Sequence, residues 1–354
     1  MIKGDCGVEM RIAVDAMGGD NAPKEIVLGS LQAAEARKDV TIVLYGDEDA
    51  IKAVIEGPTP ENVEIVHAPD KILSEDDPVK AVRSKRDSSM VMAARAVRNG
   101  EADALISAGN TGALLTSGLL VVGRMKGVER PALMAALPNL KTIGDHVLLI
   151  DCGANAESKA SYLSQYAVMA SAYARAVLKK ANPTVGLLNN GTEENKGNDL
   201  SKEAHGLLKV NDRINFVGNV EAREILNGAA DIVVADGFTG NAVLKSIEGT
   251  AGSLMKLIKS SIMNGGVTSK VGGLLLKNTL KDMVNQLDLD QAGGGILFGV
   301  KAPVLKAHGS SNATSVYHTI LQAETIVDAG VIDELAGAFE AEVALAKAKA
   351  DAEA

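Results

Sequence analysis

The chain has no tryptophan, and aromatic residues fill only 3% of its 354 positions. Proteins that read single-stranded nucleic acid stack bases on aromatic platforms, a device that is scarce here. Positive charge is not in surplus either. The net charge of −9 has the wrong sign for a chain-wide grip on phosphate backbones, so no nucleic-acid partner is expected. Two cysteines, Cys6 and Cys152, form neither a disulfide framework nor a metal-ligand spacing, and they fit a reducing cytoplasm. The longest apolar run, over 113–123, stops at Arg124, far short of a membrane span. Lys3, Asp5 and Glu9 interrupt the first residues before the core of a signal peptide forms. Signature motifs are missing too. There is no Gly-Lys-Ser/Thr phosphate loop, no Gly-x-Ser-x-Gly elbow and no Cys/His zinc pattern. Gly18-Gly19 follows the first strand without the full Gly-x-Gly-x-x-Gly spacing, which disfavours dinucleotide binding through that fingerprint. No cofactor and no metal is expected.

What is present is an ordinary globular balance, 46% hydrophobic and 23% charged, with 36 glycines. Short apolar runs alternate with segments of period near 3.6, such as Ile26, Leu28, Leu31 and Ala34. Strands are expected at 11–17, 41–46, 63–68, 102–108, 132–137, 147–152, 185–189, 214–218, 232–236 and 303–307. Strands alternating with helices imply βαβ units, hence a three-layer α/β/α, Rossmann-like fold on a mostly parallel sheet. The runs VLLID (147–151) and DIVVAD (231–236) suit strands covered on both faces. The organisation expected is an extension at 1–10, one α/β domain over 11–330 and an Ala-rich tail at 331–354, read as a solvated helix. Within the domain, 243–287 reads as a helical hairpin around the Gly-rich turn NGGVTSKVGG (264–273). It carries six lysines and two acids between 243 and 285. Leu244, Ile247, Leu254, Leu257 and Ile258 share one face, which packs on its own domain or a twin subunit, or contacts a membrane surface.

Small polar loops follow the strands: 15–23, 107–112, 151–157, 189–198, 218–223, 236–241 and 307–312. Ligands of open α/β sheets bind at the carboxyl ends of strands. Helix starts and glycines there expose N–H groups to anions, so these loops read as a site for phosphate, carboxylate or an oxyanion. One echo stands out: ADALISAGNTGAL (102–114) and ADIVVADGFTGNAVL (230–244) share a strand followed by Gly-x-Thr-Gly. Asp15, Asp151 and Asp236 sit at strand ends as turn or cap residues, or as groups that orient donors or act as bases. Lys196, Lys245, Lys306 and His308 are the nearest cations, although a single Lys is ordinarily surface charge. Cys152, flanked by an apolar strand, reads as a small buried hydrophobe. The basic run 79–98 is a solvated face or a docking patch for an acidic partner.

Several phrases give the chain a resemblance to the phosphate acyltransferase (PlsX) family. They are RIAVDAMGGDNAPKEIV (11–27), DDPVKAVRSKRDSSMVMA (76–93), ISAGNTGALLTSGLL (106–120), DCGANAE (151–157), GLLNNGTEENKGN (186–198), NFVGNVEAREIL (215–226), DGFTGNAVLK (236–245) and FGVKAPVLKAHGSSN (298–312). The resemblance implies transfer of a long-chain acyl group from acyl carrier protein to inorganic phosphate, at the start of bacterial phospholipid synthesis. It also implies a fold similar to isocitrate and isopropylmalate dehydrogenases and phosphotransacetylase. A homodimer is implied as well, in a cytoplasmic enzyme associated peripherally with the membrane surface and supplying a downstream membrane acyltransferase. Phosphate is itself the nucleophile in that chemistry, so the enzyme must position it and supply donors to the tetrahedral oxyanion. Asp15, Asn110, Lys196, Asp236, Lys245 and His308 are the catalytic candidates. Gly18, Gly19, Gly109, Thr111, Gly112, Asn155, Gly191, Thr239, Gly240, Asn241 and Ser310 are the binding candidates. Lys80, Arg83, Lys85 and Arg86 are the expected dock for the acidic carrier protein. Two other readings stay open: a nicotinamide-dependent dehydrogenase, and a non-enzymatic acyl-binding or membrane scaffold.

Overall fold

The computed structural model describes residues 10–279 and 293–353. Residues 1–9 of the expected extension, Cys6 with them, and the end of the expected hairpin at 280–287 lie outside the described residues. Eleven strands are described: β1 (Met10–Asp15), β2 (Val40–Gly46), β3 (Val63–His67), β4 (Ala104–Ser107), β5 (Ala132–Pro138), β6 (His146–Ile150), β7 (Thr184–Asn189), β8 (Asn215–Glu221), β9 (Ile232–Val234), β10 (Gly295–Phe298) and β11 (Val304–Lys306). Ten of them fall on the expected segments. The chain divides into two compact units, one comprising the residues up to Pro131, Ala172–Lys180 and those from Gly293, the other Ala132–Ser171 with the residues from Ala181.

In the first unit the strand order is β3-β2-β1-β4-β11-β10. Every neighbour is parallel except β10 on β11. Consecutive residues of a strand point to opposite faces, yet Ile12, Ala13 and Val14 are all fully buried. The sheet is therefore covered on both sides, as a parallel sheet requires. Helices Lys24–Ala36, Ser89–Asn99 and Ala313–Asp328 provide the cover. The final helix, Val331–Glu353, departs from the expected solvated tail. Val331, Ile332, Leu335 and Phe339 are buried, because their spacing forms one apolar stripe over the first turns. The basic run is likewise two helices, Pro78–Ser84 and Ser89–Asn99, rather than one continuous face.

The second unit runs β5-β6-β9-β7-β8, antiparallel only between β5 and β6. Between β7 and β8 the register skips Val217, a bulge whose side chain is exposed. A 28-residue helix, Gly237–Asn264, leaves this sheet and is followed by a second, Val267–Leu275. The expected Gly-rich turn shrinks to Gly265-Gly266. Helix resumes at Val267, and Gly273 within it is a packing residue: a Cβ there would sit 2.3 Å from Ile262 Cγ2 on the first helix. Of the longer helix only Gly237 and Gly240 are buried, and of the shorter none. The face at Leu254 and Leu257 is exposed, so among the described residues only the start of the helix pair packs on its own unit.

Candidate functional site

In the first unit, polar loops leave β1, β4 and β11 side by side. Asp15 ends β1 and is buried, its Oδ1 accepting from Ser89 Oγ at 2.6 Å and its Oδ2 from Ser107 Oγ at 2.6 Å. Burial raises its pKa above the ordinary carboxyl value, against the pull of the two hydroxyls. Only glycine fits at position 18, since a Cβ would stand 2.4 Å from Asp15 Oδ2 and 2.7 Å from the Gly109 nitrogen. Gly109 N–H in turn donates to Ser107 Oγ at 3.0 Å. The loop after β11 is tied in by Asp20 N–H to Gly309 O at 2.8 Å and by the Asn21 amide to Ser310 O and Ser311 O. Lys306, at the end of β11, donates from Nζ to Ala108 O at 3.1 Å and to Ala307 O. Its burial holds its pKa down at about 8, with Asp15 and Asp20 opposing that shift. His308 Nδ1 accepts from Ser310 N–H at 3.3 Å and lies 2.8 Å from Ser310 Oγ, and the residue is exposed. Asp15, Gly18, Gly19, Gly109, His308 and Ser310 are thus brought together.

Asn110 sits at the edge of this cluster with a different task. Its Oδ1 caps the helix Thr111–Ser117 by accepting Ala113 N–H at 3.0 Å. Its Nδ2 is directed at the carbonyls of Leu73, Ser74 and Asp76. The side chain therefore fastens loop 73–76 to the helix start, and it has no donor left over for an oxyanion. Thr111 and Gly112 follow it, with Gly112 against Pro78: a Cβ would be 2.6 Å from Pro78 Cγ. The basic helix Pro78–Ser84 begins there. Lys80, Arg83 and Arg86 are exposed, while Lys85 is paired with Asp76 at 2.6 Å.

The second unit repeats the design with other atoms. Asp151, just past β6, is fully buried. Its Oδ1 accepts N–H bonds from Leu133, Gly153 and Ala154 at 2.9–3.1 Å, and its Oδ2 accepts the backbone and side-chain N–H of Asn155, both at 2.9 Å. Burial raises its pKa. At Gly240 a Cβ would overlap the Asp151 carbonyl oxygen, 2.0 Å away. Asp236 caps the long helix, its Oδ1 accepting Thr239 N–H at 2.9 Å. This is the cap role among those open to it. Thr239 is exposed and Asn241 half-buried beside it. Both echoed corners turn from strand to helix, but not in the same frame. The helix starts at Thr111 in one and at Gly237 in the other, two residues earlier in the tetrapeptide.

Lys196 and Lys245 are both exposed, Lys196 in the loop after β7 near Gly191 and Lys245 on the long helix. Cys152 is buried, donates to Leu133 O, and has its thiol pKa pushed up by burial; it is no thiolate nucleophile. Among the described residues no three His, Cys, Asp or Glu side chains gather as a metal site. Sequence reasoning passed over Ser89 and Ser107, the partners of Asp15, and named Lys306 only as one of the cations nearest the site. The usable signal for Ser107 was a hydroxyl at the last position of an otherwise apolar strand.

The chain matches the fatty acid synthesis protein family over residues 10–334. It is 56% identical to a phosphate acyltransferase of Streptococcus uberis across 94% of this chain and 98% of that protein. It is 54% identical to one from Pediococcus pentosaceus across 94% and 95%. Among solved structures, a phosphotransacetylase from Streptococcus pyogenes superposes with a TM-score of 0.57 at 16% identity, covering 92% of this chain and 94% of that one. The EutD phosphotransacetylase from Staphylococcus aureus gives 0.55 at 17%, covering 91% and 95%, so the expected likeness to the phosphotransacetylase fold holds. The chain belongs to the fatty acid synthesis protein family and, within it, to the phosphate acyltransferases.

Proposed function

We propose that this protein transfers a long-chain fatty acyl group from acyl carrier protein to inorganic phosphate, giving acyl phosphate for phospholipid synthesis. The observation that carries this reading is the 56% identity to a phosphate acyltransferase over nearly its whole length. The chemistry suits the residues. A phosphate oxygen bonds to the thioester carbon, the carbon–sulfur bond breaks, and the proton that phosphate gives up ends on the departing thiol. No protein nucleophile is needed, in keeping with a Cys152 thiol that is buried and held protonated. Phosphate is assigned to the first unit's loops, where the Lys306 ammonium has two of its protons on carbonyls and the third for the anion. Backbone N–H groups of Thr111 and Gly112 are the proposed further donors, with Asn110 as the residue that positions them. His308 Nε2 is the proposed proton donor to the thiolate, and Asp15 keeps Lys306 charged. The test is thiol release from purified palmitoyl-carrier protein with mass detection of acyl phosphate. Release that requires phosphate is the expected result; release without phosphate means a thioesterase, and no release overturns the reading.

The carrier protein docks, in this proposal, on the exposed arginines beside Gly112. Reversing charge at Arg83 and Arg86 is expected to raise the carrier-protein KM roughly tenfold and flatten its salt dependence. Lys85 matters less, being already paired with Asp76. An unchanged KM and salt slope would remove the patch from consideration.

The enzyme is proposed to be a homodimer, cytoplasmic and peripheral to the membrane, where a membrane acyltransferase consumes the acyl phosphate. No helix among the described residues is long and apolar enough to cross a membrane. The exposed helix pair offers the surface contact instead. Val267, Leu274 and Leu275 are each at least 73% exposed, with Lys270 and Lys277 close by in sequence. Leu274→Asp with Leu275→Asp should weaken binding to anionic vesicles roughly tenfold or more, with acyl phosphate formation in solution retained. Vesicle binding that survives both changes places the contact elsewhere.

A further inference from the structure

Within the second unit a cavity of about 440 Å³ opens at the carboxyl ends of β7 and β9. That volume is within the roughly 300–1,000 Å³ usual for small-molecule sites. Its walls are of two kinds. Leu163, Leu187 and Leu188 are buried and line it with aliphatic surface. Asn189, Asn190, Asn198, Ser201, Asp236 and Thr239 bring amides, hydroxyls and one carboxylate. Among the described residues no cation lines it, which disfavours phosphate. A bare acyl chain fits poorly too, because it would desolvate those polar groups without bonding to them.

The site is also built in advance. The Asn189 amide donates to Lys196 O at 3.2 Å and the Asn219 amide to Glu193 O at 2.8 Å, while Lys209 pairs with Glu194 at 2.7 Å. Asn198 Oδ1 caps the following helix at Ser201 N–H. Loop 190–198 is thereby ordered before any ligand arrives, which reduces what binding must spend on it. By contrast, the side chains of Asn190 and Thr239 make no hydrogen bond within the described residues. They are polar groups at the cavity with capacity to spare.

The ligand that matches is an aliphatic strand interrupted by uncharged amides and a hydroxyl. We propose that this cavity receives the pantetheine arm of the acyl donor. The inference rests on the acyl-transfer reading, since that reaction delivers its acyl group on such an arm. Leucine side chains meet the arm's methyl and methylene groups, and Asn190 and Thr239 bond its amides. The arm's recognition is then separate from the charge pairing that docks the carrier protein.

The experiment uses the full-length protein with labelled leucine methyls, titrated with pantetheine itself. The expected result is selective shifts at Leu163, Leu187, Leu188 and Leu200. Ala222→Trp, at the exposed rim of the cavity, should remove them. The same variant should raise the KM for palmitoyl-pantetheine roughly tenfold while the phosphate KM stays put. Shifts produced by palmitate but not by pantetheine would make the cavity an acyl-chain tunnel and overturn the proposal. An absence of shifts with pantetheine overturns it as well, whatever becomes of the variant. If pantetheine shifts these methyls but no acyl phosphate forms, the transfer reading fails and the binding site stands.

Discussion

Asp151→Ala is expected to destabilise the second unit by about 3–5 kcal/mol, a large share of the roughly 5–15 kcal/mol that holds a typical domain together. The argument is the number of donors that converge on one buried carboxylate. Four backbone N–H groups and the Asn155 amide end on its two oxygens. Each buried donor left without an acceptor costs about 1–3 kcal/mol, and water can recover only the more exposed of them. Leu133 N–H, on β5, has no such access. The loop 152–155 would lose its anchor, and with it the floor beneath Gly237 and Gly240, which stand against Asp151 and Asn155. Asp151→Asn should also destabilise, because its amide NH2 would face the donors of Asn155. The check is urea unfolding followed by far-ultraviolet dichroism. Stability within about 1 kcal/mol of the parent would show that the carboxylate is not what holds this loop.

The fold was legible because its strands are short, apolar and punctuated by polar loops. The strand that went unread, β10, explains the limit. Gly295–Phe298 is four residues long, directly follows a Gly-rich run and pairs antiparallel with β11, so neither alternation nor a βαβ spacing marks it. The hairpin shows a second limit. Gly272-Gly273 reads as turn chemistry in a sequence, yet Gly273 lies within a helix, where a neighbouring helix leaves no room for a Cβ. At the site, residue type and loop position were legible and the direction of each side chain was not. Asn110 illustrates this. An asparagine ahead of a helix is a fair candidate for a ligand contact, and only coordinates show its amide spent on three carbonyls. Lys306 was named among the nearest cations but not singled out, for the opposite reason: a lysine at a strand end reads as surface charge until burial is known.

Acyl phosphate formation is expected to fall as pH rises through about 8, the value to which burial lowers the Lys306 pKa. The substrate does not cause that fall, because phosphate becomes more fully dianionic, and more nucleophilic, over the same range. Nor does alkaline unfolding, and the sign of the linkage separates the two. Lys306 has a folded pKa below its unfolded value of 10.5. Below pH about 8 both states hold the proton and the cost of burying the ammonium is fully present. Between about 8 and 10.5 the unfolded state binds more protons, so stability rises with pH by an amount on the order of 3 kcal/mol. Activity and stability must therefore move in opposite directions across this window. Two substitutions sharpen the assignment. Lys306→Arg keeps the charge at every accessible pH and should abolish the alkaline limb, even if the larger group lowers the plateau. Asp15→Asn removes one of the two carboxylates, with Asp20, that hold the Lys306 pKa up. The limb should then move to lower pH; one of the two serine hydroxyls, Ser89 or Ser107, can still donate to the amide oxygen, and the other can turn to accept from the amide NH2. A wild-type profile that stays flat to about pH 10, or a limb that survives Lys306→Arg, would assign the charge that phosphate meets to another group.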